Sequence, residues 1–177
     1  MTTQTNIEKP EGLKVDPTKL VKRLKSISDI RQFKGVFEVF AKPGKSPFRV
    51  KLGTEMKTAN ASETAVQVIG EYHFIARNAL AEGVVEDSAE DVPFAEIRAT
   101  FMVHYSLDVG EVPTEDELKV FAASNGAFNL HPYWREYIRD CLGRAGLPVY
   151  QLPLLNPQRM MQQNENRQAP VSGRDET

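Results

Sequence analysis

The residues from 129 to 157 constrain the fold of this chain most, because they combine a punctuated helix with a proline-broken apolar segment. Pro132 suits the first turn of a helix, where its missing N–H removes no hydrogen bond. Gly146 suits the position just past a helix end, and Pro148 prevents continuation. The pattern therefore predicts a helix over 132–146. Its apolar residues recur at helical spacing and form one stripe: Tyr133, Trp134, Tyr137, Ile138, Cys141, Leu142 and Ala145.

The segment that follows, 147–157, interleaves large apolar residues with three prolines. Proline has no N–H to donate to a β-ladder, so the segment cannot be a central strand. Apolar side chains in such a segment still need cover from water. We therefore predict an extended strip that lies over another part of the molecule.

Three earlier stretches, 48–58, 64–77 and 94–107, alternate apolar and polar residues, which is typical of half-buried strands. Short loops join them, so we expect an antiparallel meander with one apolar and one largely polar face. The stretch 20–40 mixes helical spacing with strand-like residues, and we interpret it as the first strand.

A further helix is predicted after Thr114, which forms a capping box with Glu117. Asn125 and Gly126 are expected to stop it. The predicted fold class is thus α+β: a four-stranded antiparallel sheet with two helices packed on one face. The 177 residues suit one domain over 18–157, between a disordered N-terminal arm (1–17) and a flexible polar tail (158–177).

Composition argues against some classes of partner and favours one cellular compartment. A net charge of −2 does not suggest nucleic acid or an anionic membrane as a partner. No apolar run approaches the length of a membrane span, and the first residues do not form a secretory signal. The single cysteine, Cys141, has no disulfide partner in the chain, so we expect a cytoplasmic protein.

Signals for catalysis are weak. His73 and His104 fall on adjacent predicted strands and could be neighbours, but two histidines without a third ligand seldom bind metal. His131 is expected to cap the helix at Pro132. Cys141 lies inside a helix rather than at an activating N-terminus. Since nucleophile-elbow and nucleotide-binding motifs are also missing from the sequence, we predict no enzyme, no cofactor and no metal.

Two motifs between residues 131 and 156 resemble motifs of the SecB family of export chaperones. The sequence H-P-Y-W-R-E at 131–136 matches that family's F-P-Y-x-R-E. The segments G-L-P at 146–148 and L-P-L-L-N at 152–156 match its G-x-F-P and L-x-P-V-N. The strong resemblance covers about 29 residues, and a weaker one in strand order and length extends back to Phe48.

The resemblance implies an assembly and a function. SecB-like subunits pair through their sheets, and the dimers pair through helices into tetramers. Unfolded or extended client polypeptides then lie in apolar grooves beside the helix and the strip. The implied function is an ATP-independent holdase that keeps clients unaggregated for export. One alternative is a dedicated chaperone for the antitoxin of a toxin–antitoxin–chaperone system, and another is a small α+β enzyme or ligand-binding domain.

The resemblance also implies roles for individual residues. Phe94 and Glu96 match the contact point for the SecA motor, although 158–177 has no counterpart of the family's C-terminal helix and acidic tail. That departure fits the antitoxin-guarding variant. The client groove would be lined by Phe121, Phe128, Tyr133, Tyr150, Leu152, Leu154 and Leu155. The oligomer interface would contain Trp134, Tyr137, Ile138 and Cys141.

Overall fold

A computed structural model describes residues 16, 18–44, 48–79 and 91–155. It contains one antiparallel sheet with strand order β1-β4-β3-β2. Strands β2 to β4 form the predicted meander, and β1 joins it beside β4. The four-stranded antiparallel sheet is therefore confirmed. The elements are α1 (Lys19–Lys22), β1 (Leu24–Val39), β2 (Phe48–Ala61), β3 (Ala65–Asn78), β4 (Ala95–Leu107), α2 (Glu115–Phe121), a π-helical turn (Ala122–Gly126) and α3 (Ala127–Arg144).

The two faces of the sheet differ as the alternation predicted. Every second residue of β3 and β4 is almost completely buried, and the residues between them are more exposed. Burial of one face is the main apolar contribution to folding in an antiparallel sheet of this kind. The buried apolar side chains on this face are Val66, Val68, Tyr72, Phe74, Ala76, Ala95, Ile97, Ala99, Phe101, Val103, Tyr105 and Leu107.

Both helices cover this apolar face. Trp134 of α3 stacks on Tyr72, with ring centroids 5.2 Å apart. Phe121 of α2 meets Tyr105 edge to face at 4.9 Å. Aromatic pairs of this geometry add to the burial of their large apolar surfaces. The two predicted helices thus pack on one face of the sheet.

The predicted stop between the helices is wrong. Gly126 has right-handed helical angles, φ −59° and ψ −52°, and the chain continues through a π-helical turn into α3. A Cβ at Gly126 would lie 2.5 Å from a methyl of Val68. The glycine therefore permits close approach of the helix to β3 rather than ending it. The hydroxyl of Tyr105 donates to the C=O of Asn125 at 3.1 Å and stabilises the turn.

Helix α3 begins five residues earlier than predicted, so Pro132 lies inside it rather than in its first turn. The proline lacks the N–H that would bond to the C=O four residues earlier, and the helix continues despite that loss. The predicted end is confirmed. Gly146 has a φ of +65°, and the N–H of Leu147 donates to the C=O of Leu142 at 2.9 Å, which is a Schellman arrangement.

The N-terminal part also corrects the prediction, because β1 begins at Leu24 and the preceding residues form α1. Of the residues at helical spacing in 20–40, Leu20 lies in this turn and is buried, whereas the others lie in β1. Arg23 then joins three loops. Its guanidinium donates to the C=O groups of Glu63, Asp108 and Glu111 at 2.6, 3.1 and 2.7 Å.

In the described ranges, no helix combines the length and the apolar character needed to cross a membrane. Most of the predicted arm (1–17) and all of the predicted tail (158–177) lie outside the residues that the structure describes.

Candidate functional site

The segment 147–155, here called the strap, leaves the end of α3 and has neither helical nor strand structure. Two of its own side chains, Leu147 and Leu152, are buried. The ring of Tyr150 lies 5.7 Å from that of the buried Phe74 on β3. The strap is therefore an extended apolar segment laid over the helical layer and the sheet, as the prolines predicted.

His131 connects the strap to α3. Its ring Nε2 lies 2.8 Å from the C=O of Pro153. A carbonyl can only accept, so the histidine donates. His131 does not cap a helix end, because it lies in the second turn of α3. Sequence reasoning missed this contact, although one signal was available: a polar residue stands where the family motif has phenylalanine.

Large apolar side chains on α3 and the strap remain exposed. Tyr133 is 47 % exposed and Leu154 76 %. Exposed apolar surface contributed by several large side chains commonly marks a binding site for another polypeptide. We call Phe128, Tyr133, Val149, Tyr150 and Leu154 the exposed apolar set.

The set lies on two sides of α3. Tyr133 is two residues from His131, which is about 200° around a helix of 3.6 residues per turn. Tyr133 lines an open cleft of about 280 Å3 between α3 and β1, with Ile30, Phe101 and Tyr137. The strap follows the opposite side, where His131 holds it. The predicted groove residues therefore border two surfaces and do not converge in one groove.

Two predicted groove residues are buried. Phe121 is 1 % exposed because its ring packs against Tyr105. Leu152 is 2 % exposed and anchors the strap. Helical or alternating spacing identifies apolar residues but does not show which of them another element covers. Phe128, Tyr133, Tyr150 and Leu154 are exposed, and Leu155 is half-buried.

The residues predicted at the oligomer interface lie largely inside the subunit. Trp134, Ile138 and Cys141 are buried between α3 and the sheet. Tyr137 is partly buried, with its ring 6.2 Å from that of Phe101. These side chains hold α3 on its own sheet, so any interface that this helix forms would use its outer residues. The interface itself stays a prediction.

The two residues matched to the SecA contact point are engaged within the subunit. Phe94 is buried and meets Phe48 edge to face at 5.3 Å. The carboxylate of Glu96 contacts Nε2 of His73 at 2.6 Å and the guanidinium of Arg98. Docking through this pair stays a prediction, and it would require a partner to compete with these contacts.

The ionisable groups of the described residues offer little catalytic chemistry. Burial raises the pKa of Tyr105 to about 12, so its hydroxyl stays neutral and serves as a hydrogen-bonding group. Burial also raises the pKa of the Cys141 thiol, which disfavours a nucleophilic thiolate. His104 lies opposite Gln67 and His73 opposite Arg98, so the two histidines are not the neighbours that we expected. Across the described residues, no three potential ligands cluster around a metal site.

Comparisons with known proteins agree with this fold. The SecB-like chaperone MT2006 of Mycobacterium tuberculosis is 42% identical over 82 residues, which are 46% of this chain and 45% of that protein. The SecB-like chaperone Rv1957 of the same species is 42% identical over 76 residues, 42% of each chain. The matched segment thus spans less than half the length of these curated relatives. No protein-family model matches the chain.

A solved structure extends the similarity. It contains the M. tuberculosis Rv1957 SecB-like chaperone in complex with a ChAD peptide from the Rv1956 HigA1 antitoxin. The two structures superpose with a TM-score of 0.67 at 27% identity, covering 79% of this chain and 96% of that one. The resemblance to SecB-like chaperones that the 131–156 motifs indicated is confirmed.

Proposed function

We propose that this chain is an ATP-independent molecular chaperone that holds non-native, extended polypeptide, acts in the cytoplasm and catalyses no reaction. The observation that carries the proposal is the exposed apolar set on α3 and the strap, in a fold similar to a SecB-like chaperone solved with a bound peptide. The proposed site consists of the strap and the outer surface of α3.

Apolar burial accounts for the expected selectivity. Each Å2 of apolar surface removed from water contributes about 25 cal/mol, without directional requirements. The exposed apolar set would therefore bind many sequences that present apolar side chains in extended form. A folded client buries those side chains in its own core, so discrimination between folded and unfolded forms follows from exposure alone.

A dedicated antitoxin chaperone is the second candidate. It is favoured by one observation: the solved relative holds a peptide from an antitoxin. The same apolar surface would serve one short client segment, with affinity concentrated in a few anchors. Export through SecA stays a prediction. Phe94 and Glu96, the residues matched to its contact point, already make contacts within the subunit.

A small enzyme or ligand-binding domain is less favoured. Small-molecule sites usually place a few convergent polar groups in an apolar cavity. The cleft beside Tyr133 is instead open, and Arg31, Glu136 and Asp140 are among the residues that line it. Glu136 and Asp140 pair with Arg139 and Arg144 along the helix surface.

Aggregation of an unfolded enzyme tests the proposal. We expect the chain to suppress light scattering when citrate synthase is diluted from denaturant, at equimolar or lower ratios and equally with and without ATP. Strict ATP dependence would contradict the proposal. Failure on this client together with tight binding of one antitoxin segment would select the dedicated chaperone.

The oligomeric state can be tested by measuring the mass of the protein in solution. We propose a homotetramer built as a dimer of dimers, since exposed apolar residues also lie along β1, for example Phe33 and Val39. Multi-angle light scattering at micromolar concentration should give a mass near four times the 19.9 kDa of the chain. A monomer at that concentration would rule out the proposed assembly.

A further inference from the structure

We propose that His131 is a positioning residue that latches the strap to α3 and thereby sets the affinity of the proposed client site. The inference rests on the proposed function, because the strap carries three members of the exposed apolar set: Val149, Tyr150 and Leu154. The polar contact of His131 with Pro153 would hold these side chains in the arrangement that a client meets.

Few contacts hold the strap. Beyond Leu147, whose N–H closes the end of α3, the hydrogen bond from His131 to Pro153 is the one that joins 148–155 to other described residues. Pro148 and Pro153 have no N–H to donate. Apolar attachment consists mainly of the burial of Leu152 and the contact of Tyr150 with Phe74. A segment with so little main-chain pairing has a low free energy of local opening.

The latch lies where it can act on the exposed side chains. Pro153 falls between the buried Leu152 and the exposed Leu154, so its carbonyl marks the point where the strap turns from core to surface. Fixing that carbonyl on α3 fixes the direction in which Leu154 leaves the subunit. The N–H of Nε2 is present in one neutral tautomer and in the imidazolium, so either form can hold the latch.

Two substitutions at the same position separate the latch from simple packing. Gln places an amide nitrogen the same number of bonds beyond Cβ as Nε2 of histidine, so His131→Gln keeps a donor. His131→Phe keeps a flat ring and removes the donor. One neutral hydrogen bond corresponds to about a two- to tenfold change in an equilibrium.

Both variants are compared with the wild-type chain in two assays. The first is the rate of chymotrypsin cleavage after Tyr150, which tracks strap opening. The second is the Kd for reduced, carboxymethylated lysozyme, which stays unfolded. We expect His131→Phe to raise the cleavage rate and the Kd by about two- to tenfold, with an unchanged melting temperature. His131→Gln should keep both quantities near their wild-type values.

Equal cleavage rates and Kd values for wild type and His131→Phe would overturn the latch while leaving the chaperone proposal intact. Faster cleavage with an unchanged Kd would also overturn it, because the strap would then not contribute to client affinity. If the wild-type chain does not bind the unfolded probe, the proposed function fails and the inference fails with it.

Discussion

Trp134→Ala should lower the free energy of unfolding by about 3–5 kcal/mol, the range for a large aromatic removed from a packed core. Trp134 is 2 % exposed, stacks on Tyr72 and lies 6.3 Å from the ring of Tyr137. Alanine would leave a cavity between α3 and the central strands, where relaxation is limited by the surrounding rings. Chemical denaturation followed by circular dichroism measures the change.

Tyr133→Ala is the matched control, because the neighbouring aromatic is 47 % exposed. Its substitution should change stability by about 0.5 kcal/mol or less, the usual range for surface positions. Equal losses for the two variants would contradict the placement of Trp134 in the core. Full stability of Trp134→Ala with lost client binding would place the indole in the client site instead.

Leu154→Asp should weaken binding of the unfolded lysozyme probe by at least about tenfold, while the fold is preserved. Leu154 is 76 % exposed, so the subunit loses little packing when it is replaced. In a complex the carboxylate would have to be desolvated against apolar client side chains, which is costly without a partner. Fluorescence anisotropy of a labelled probe gives the Kd.

Leu154→Met is the control for this change, since it keeps an apolar side chain of similar size and should bind nearly as well as wild type. Leu152 would be a poor choice for the same purpose, because it is buried and an aspartate there would disrupt the strap. Wild-type affinity in the Leu154→Asp variant would remove this part of the strap from the client site.

The sheet was largely predictable because its physical signal is local. Side chains of a strand point alternately to its two faces, so burial of one face requires apolar residues at every second position of β2, β3 and β4. The predicted strand bounds agree with the observed ones within a few residues. The end of α3 was predictable for the same reason, since Gly146 must take a positive φ there.

The helical region was less predictable because tertiary packing overrides local punctuation. Gly126 resembles a stop signal, but its small size is needed for contact with Val68, a residue far away in sequence. Pro132 resembles a helix start, but the helix passes through it. A single sequence reveals neither the contact of Gly126 with Val68 nor the continuation of the helix through Pro132.

The candidate site was predictable in residue type but not in arrangement. The apolar stripe of α3 was identified, yet spacing could not separate Trp134, which faces the sheet, from Tyr133, which faces outward. Likewise the strap was predicted as an extended apolar strip, while the burial of Leu152 and the contact of His131 with Pro153 depend on how it folds back.

Photo-cross-linking shows directly where an unfolded client touches the chain. A photo-cross-linking amino acid is placed at Leu154 on the strap, or at the exposed Glu55 on the polar face of the sheet, and each variant is irradiated with unfolded, labelled lysozyme. We expect strong cross-links from position 154 and few from position 55, with or without ATP. Equal yields from both positions, or cross-links from position 55 alone, would contradict the claim that the strap and α3 hold the client.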